Sequence, residues 1–143
     1  MENKHSDCAY CAKGELLTKF AYPESIELPA SFVYVFKEQS HPGRVIVASK
    51  HHVSEVIDLP QAERDAFFKD VEHVAEALHK AFPDMKKLNY GMYGDTGCHL
   101  HMHLVPKYEG GFEFGGTFEM NPGKTLLTDA EYSAILKKVK DCL

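Results

Sequence analysis

The sequence predicts a mixed α and β fold in one domain covering residues 1–143: a short first strand, two pairs of strands, one long helix and a short C-terminal helix. Three observations predict it. Apolar runs rich in β-branched and aromatic residues cluster around residues 25–48 and again around 87–107. Between them, residues 60–82 change to three- and four-residue spacing. Residues 99–107, His-Leu-His-Met-His-Leu-Val-Pro-Lys, then keep a strict two-residue alternation.

In chain order, residues 25–28 alternate and predict a short strand, and Ser31–Phe36 predicts a second. His41-Pro42-Gly43 is a turn signal leading into the apolar run 44–48, so these two longer strands form a hairpin with a loose loop. Ala66, Phe67, Val71, Val74, Ala75 and Leu78 make the apolar stripe of a helix that Pro83 ends. Its apolar residues, with Phe68, suit a core or a dimer interface. His73 and His79 on this helix read as solvated or boundary residues. Residues 87–93 form a strand weakened by glycine, and Gly94-Asp95-Thr96-Gly97 turns the chain into the histidine strand. Residues 108–127 hold five glycines with Phe112, Phe114 and Phe118 among them. That is too aromatic for a free linker, and predicts an ordered loop over a pocket or a partner subunit. Thr128 and Glu131 form a capping box that opens the last helix, to about residue 140.

Composition narrows the function. Hydrophobic residues at 44% and charged residues at 26% are ordinary globular values. A formal charge of -5 without a Lys/Arg cluster argues against binding along a nucleic-acid polymer, and leaves a small phosphorylated ligand open. No stretch approaches the roughly 20 apolar residues of a membrane span, and the polar N-terminus lacks the apolar core of a signal peptide. A cytoplasmic location, with no membrane partner, is the expectation. Four cysteines there do not predict a disulfide framework. Cys98 and Cys142 read as buried or incidental thiols.

The alternation puts His99, His101 and His103 on one strand face, with Leu100, Met102 and Leu104 on the other. Three groups that titrate near neutrality, and can bind metal or attack phosphorus, thus stand in one row. Cys8 and Cys11 form a CxxC that could be a redox pair, a chance pair or half of a zinc site; the last reading is preferred. Histidines must supply the other ligands, and the His51-His52 pair closing a strand is the natural source of one.

The row from His99 to Lys107 resembles the signature of the histidine triad (HIT) family of nucleotide hydrolases and transferases. The CxxC, Gly43 before Val45-Ile46-Val47, the Lys50-x-His52 ending and the long helix resemble the zinc-containing bacterial members, over about residues 8–107. The resemblance implies an α+β fold, an antiparallel sheet of about five strands carrying helices, with the subunits paired as a homodimer; the strand count above agrees. It implies attack on the α-phosphorus of a nucleoside phosphate derivative. His101 matches the nucleophile, and His103 the residue that hydrogen-bonds the phosphate or leaving group. Cys8, Cys11, His52 and His99 match a structural zinc site. His52 is preferred to its neighbour His51 because it aligns with the family ligand.

Two departures stand out. The family's ribose-binding aspartate falls at Phe36, with Glu38 two residues on. The Gly-Gln-Ser/Thr ahead of the histidine row is replaced by Gly94-Asp95-Thr96. An aspartate beside a phosphate is repulsive unless it binds a cation or points away. Tyr34, Glu38, Asn89, Asp95 and Thr96 are therefore the candidate substrate contacts. The expected activity is hydrolysis of nucleoside phosphoramidates or dinucleoside polyphosphates through a nucleotidyl-histidine intermediate. A nucleotide-binding module with little catalysis and a nucleotidyltransferase are the alternatives.

Overall fold

The computed structural model describes residues 5–143. Two short helices, α1 (Ala9–Ala12) and α2 (Gly14–Thr18), precede β1 (Ala21–Glu27), β2 (Ser31–Phe36) and β3 (Val45–Ser49). A 3-10 turn at Val56–Asp58 leads to α3 (Gln61–Ala81), β4 (Lys87–Gly91), β5 (His101–Lys107) and α4 (Asp129–Asp141). The five strands form one antiparallel sheet in the order β1-β2-β3-β5-β4. The fold is α+β.

Alternation along the strands decides which face each side chain joins. Val33, Val35, Val45, Val47, Met102 and Leu104 point to one face, where α3 and α4 cover them with Phe67, Val74, Leu78, Tyr132 and Val139. Each such side chain, fully removed from water, contributes about 1.5–3 kcal/mol. Buried Asp70 of α3 accepts hydrogen bonds from the Ala30 amide and the Ser31 hydroxyl, pinning the helix to the start of β2. The opposite face carries Phe36, Ile46 and the histidines. In register, Ile46 stands beside His103 and Ala48 beside His101.

Several boundaries differ from the sequence expectations. The first strand begins at Ala21, ahead of Pro23, and its register with β2 slips between Ala21 and Ser25. An edge strand tolerates a proline at such an irregularity because one row of its amides needs no partner. β4 stops at Gly91 instead of 93. β5 starts at His101 because the chain at His99 and Leu100 turns toward its own partners: the Leu100 amide donates to Val53 O and its carbonyl accepts from the Ser49 amide. Gly43, at φ +94°, packs so closely on Phe82 that a Cβ would lie 2.8 Å from that ring. α4 has the expected capping box of Thr128 and Glu131. No helix of the described residues is long and apolar enough to cross a membrane.

Candidate active site and metal centre

The histidine face of the sheet is roofed on two sides. From the N-terminus, Tyr10 of α1 lies over the row, its ring 5.1 Å from that of His99 and 5.3 Å from that of His101. From the other side comes the loop 108–127, which covers the pocket. Lys107, on the same face as the histidines, donates from Nζ to the carbonyls of Glu113, Gly116 and Thr117 at 2.6–3.0 Å. The Glu113 carboxylate accepts from His41 Nε2 at 2.8 Å and from the Glu119 amide. Phe118 closes over Gly91, where a Cβ would lie 2.6 Å from its ring. Between these two roofs lies a cleft of about 630 Å³. His101 and His103 form its floor with Phe36 and Ile46, and Tyr10, Phe20, Tyr93, Met120 and Asn121 form its walls.

Within the row, His101 Nδ1 donates to the His99 carbonyl at 2.8 Å. A carbonyl can only accept, so the Nδ1–H tautomer is selected and Nε2 keeps its lone pair. Burial holds the His101 pKa below its ordinary 6.5, against the opposing pull of that carbonyl bond. His103 lies next along the strand, 5.3 Å away between ring centres. Burial, then the Arg44 guanidinium and then His101 push its pKa down to about 3. Both imidazoles are therefore neutral at pH 7.

His99 turns the other way. Its Nε2 donates to Ser49 O at 2.7 Å, which presents Nδ1 to Cys8 Sγ at 3.4 Å and Cys11 Sγ at 3.5 Å. His52 Nδ1 lies 3.2 Å from Cys11 Sγ and 3.3 Å from His99 Nδ1. The four donor atoms of Cys8, Cys11, His52 and His99 lie within 4.8 Å of one another, a group that could hold a metal ion. Desolvation, then the adjacent Cys8 thiol, push the Cys11 thiol up to about 11; a cation is what relieves two thiolates at this spacing. His51 points out of this group and pairs with Glu63 at 3.4 Å.

The structure distributes the remaining candidates unevenly. Asp95 and Thr96 line the cleft mouth. Tyr34 shares the histidine face, but it is buried beneath Tyr10, 6.1 Å between ring centres, and does not line the cleft. Glu38 lies past the end of β2 and turns to the loop, accepting from the amides of Ser40, Lys124 and Thr125. Burial raises its pKa, but those three donors outweigh it and hold the carboxyl below the usual range. Asn89 pairs with Val105, two residues beyond His103, and is outside the cleft lining. Cys98 is an exposed thiol on the cleft rim, with Sγ 3.7 Å from His52 Nε2.

Two participants were not picked out from the sequence. Arg44 is fully buried and contacts His103 through Nη2 at 3.2 Å. The alternation that puts Ile46 on the histidine face puts Arg44 there too, so strand parity was the available signal. Tyr10, between the two cysteines, carries no signal beyond its place in the CxxC.

Comparison with known proteins agrees with this architecture. The HIT domain family model matches residues 26–110. An uncharacterized HIT-like protein of Methanocaldococcus jannaschii is 27% identical over 108 residues, covering 72% of this chain and 81% of that protein. Among solved structures, a histidine triad (HIT) protein of Sinorhizobium meliloti superposes with a TM-score of 0.81 at 20% identity, covering 91% of this chain and 95% of that one. A zinc-bound histidine triad family protein of Mycobacterium smegmatis does so with a TM-score of 0.64 at 15% identity, covering 94% of both chains. The match over more than half of the residues, with the fold to go with it, shows that the chain belongs to the HIT domain family.

Proposed function

We infer that this chain is a nucleotide hydrolase acting at the α-phosphorus of nucleoside phosphoramidates or dinucleoside polyphosphates, with His101 as nucleophile. HIT proteins generally are nucleotide hydrolases or transferases. The observation that carries the reading is the bond from His101 Nδ1–H to the His99 carbonyl, which leaves a neutral Nε2 lone pair on the cleft floor. A neutral imidazole is nucleophilic at pH 7, and covalent transfer divides one hard displacement into two easier ones. Nε2 bonds to phosphorus as the bond to the leaving nitrogen or oxygen breaks. Water then attacks the same phosphorus and frees Nε2. His103 hydrogen-bonds the phosphoryl oxygens or the leaving group, and Thr96 at the cleft mouth adds a hydroxyl donor. Tyr10, Phe20 and Phe36 offer flat apolar surface to a base. Tyr34, Glu38 and Asn89 act from outside the lining, by supporting Tyr10, the loop and β4.

Cys8, Cys11, His52 and His99 hold zinc. A tetrahedral zinc with nitrogens at about 2.1 Å and thiolates at about 2.3 Å needs ligand–ligand edges of roughly 3.3–3.8 Å. Four of the six edges, at 3.2–3.5 Å, fit within a few tenths, and all four donor atoms lie within 4.8 Å of one another; the zinc-bound M. smegmatis relative supports the same reading. Four protein ligands leave no open position, so the ion is structural. It ties α1, and with it Tyr10, to the histidine row. The protein acts in the cytoplasm as a homodimer of single-domain subunits.

The test is direct. Incubation with a panel of nucleoside phosphoramidates and dinucleoside polyphosphates gives turnover and, after quenching, a nucleotidyl mass adduct on His101. His101→Asn abolishes the adduct and lowers turnover on the order of 10³-fold or more, with zinc content and melting unchanged. Full activity in that variant removes the nucleophile from the reading. A second reading is favoured by the cleft lining, which among the described residues includes Asp7 and Asp95 but no lysine or arginine. A nucleotide-binding module without efficient chemistry would bind AMP or GMP in calorimetry and turn over none of the panel.

A further inference from the structure

We propose that Arg44 is a positioning residue that fixes His103 in the tautomer carrying its proton on Nε2, and that the same guanidinium fastens the Glu119–Met120 stretch as a wall of the cleft. The use the cleft makes of His103 rests on the function inferred above; the tautomer itself is a property of the folded chain.

The argument starts from what an arginine can do. A guanidinium has five donors and no acceptor. At 3.2 Å from Arg44 Nη2, His103 Nδ1 must therefore accept, and the ring proton of the neutral imidazole belongs on Nε2. His103 lines the cleft, so a fixed donor is supplied there in place of a ring that exchanges between two forms. The remaining partners of Arg44 are neutral. Nη2 also donates to Met120 O at 2.9 Å and Nη1 to Glu119 O at 3.2 Å. Its Nε has no partner, alone among buried side-chain nitrogens and oxygens of the described residues. The group lies against two aromatic faces, 4.0 Å from the Phe36 ring centre and 5.1 Å from that of Phe118. Burying a cation without a carboxylate in contact is costly, which argues that its place serves the site rather than the stability of the fold.

The charged surroundings act in the same direction. His103 faces Arg44 just ahead of β3 and His101 on its own strand, and both oppose its protonation. Glu38 beyond β2, Glu113 in the loop and Tyr93 after β4 act at longer range, and favour the charged form of Arg44. His103 is thus a neutral hydrogen-bond donor at working pH, not an imidazolium acid. Because Nη2 holds both the His103 ring and the Met120 carbonyl, donor orientation and loop position are fixed by one group.

Nitrogen-15 spectra of the histidine rings, recorded from pH 8 to about pH 5 on the zinc-loaded protein, test this. In the wild type, His103 is expected to show protonated Nε2, unprotonated Nδ1 and no titration in that range. Arg44→Lys, which still donates, keeps this signature. Arg44→Met gives a mixture of tautomers and a titration midpoint that rises toward 6.5. Its turnover of any substrate the wild type accepts falls on the order of 10- to 100-fold, in kcat rather than KM, as is typical when a partner that orients a reacting group is removed. Wild-type His103 protonated on Nδ1, or titrating near 6.5, overturns the proposal; so does an Arg44→Met spectrum identical to the wild type. Should the methionine variant not fold, the wild-type and lysine-variant spectra decide by the same criteria. A wild type that turns over nothing overturns the inferred function and leaves the tautomer result standing.

Discussion

His101 and His103 obtain opposite capacities from the same side chain, because one ring donates a hydrogen bond to a carbonyl and the other accepts one from a guanidinium. The expected pH dependence follows from their lowered pKa values. A lowered pKa keeps the nucleophile neutral at pH values where a free imidazole is already protonated. The acid limb of turnover is therefore expected to have its midpoint below 6.5; a pH–rate profile checks it, and a midpoint at or above 6.5 contradicts it. Glu38 gives a second prediction. Its folded pKa is below the unfolded value of 4.5, so its contribution is fully present above 4.5 and is lost as pH falls through the folded pKa. Glu38→Gln should cost about 1–3 kcal/mol at pH 7 by weakening acceptance from the Lys124 and Thr125 amides. In denaturant titrations the gap from wild type should narrow below pH 4.5.

The elements that make the cleft are mostly not those that make the core. α1, at four residues, cannot be stable by itself. It is placed by the Cys8–Cys11–His52–His99 group and by the packing of Tyr10 on Phe20 and Tyr34. Chelation of a metal ion held by this group, or Cys11→Ser, should therefore lower the melting temperature, by about 2–4 °C for each kcal/mol lost. It should also weaken ligand binding in calorimetry, because Tyr10 leaves its place over His101. Unchanged melting with a demonstrated loss of metal would contradict the staple. The loop 108–127 has the same dependence on a few anchors, with Lys107, Glu113 and Arg44 holding its backbone where no regular ladder does.

Over the whole molecule, the helix-covered face of the sheet supplies stability and the opposite face supplies the site. Beside the edge strand β4, a second hollow of about 740 Å³ is lined by Phe68, Val71, Ala75, Tyr90 and Met102, and Phe68 and Tyr90 are exposed. An open apolar groove beside an unpaired strand edge suits a second copy of the chain. Phe68→Glu and Tyr90→Glu are expected to shift sedimentation from dimer to monomer while the circular dichroism spectrum persists. A wild type that sediments as a monomer would refute the dimer.

Residues whose meaning is local were legible in the sequence: the period of two in 99–107, the helical stripe of 60–82, the capping box at Thr128. In each case the spacing itself fixes which side chains share a face, so no distant contact is needed. The residue types of the group that could hold a metal were legible too, since two cysteines at CxxC spacing need histidines from elsewhere to complete a site. Tertiary structure alone decided the rest. It set Tyr10 over Tyr34, drew Glu38 away to the loop, and brought Arg44 to His103 across 59 residues of chain. Such contacts depend on strand register and loop closure, which sum many weak preferences over the whole sheet and are written in no single stretch of sequence.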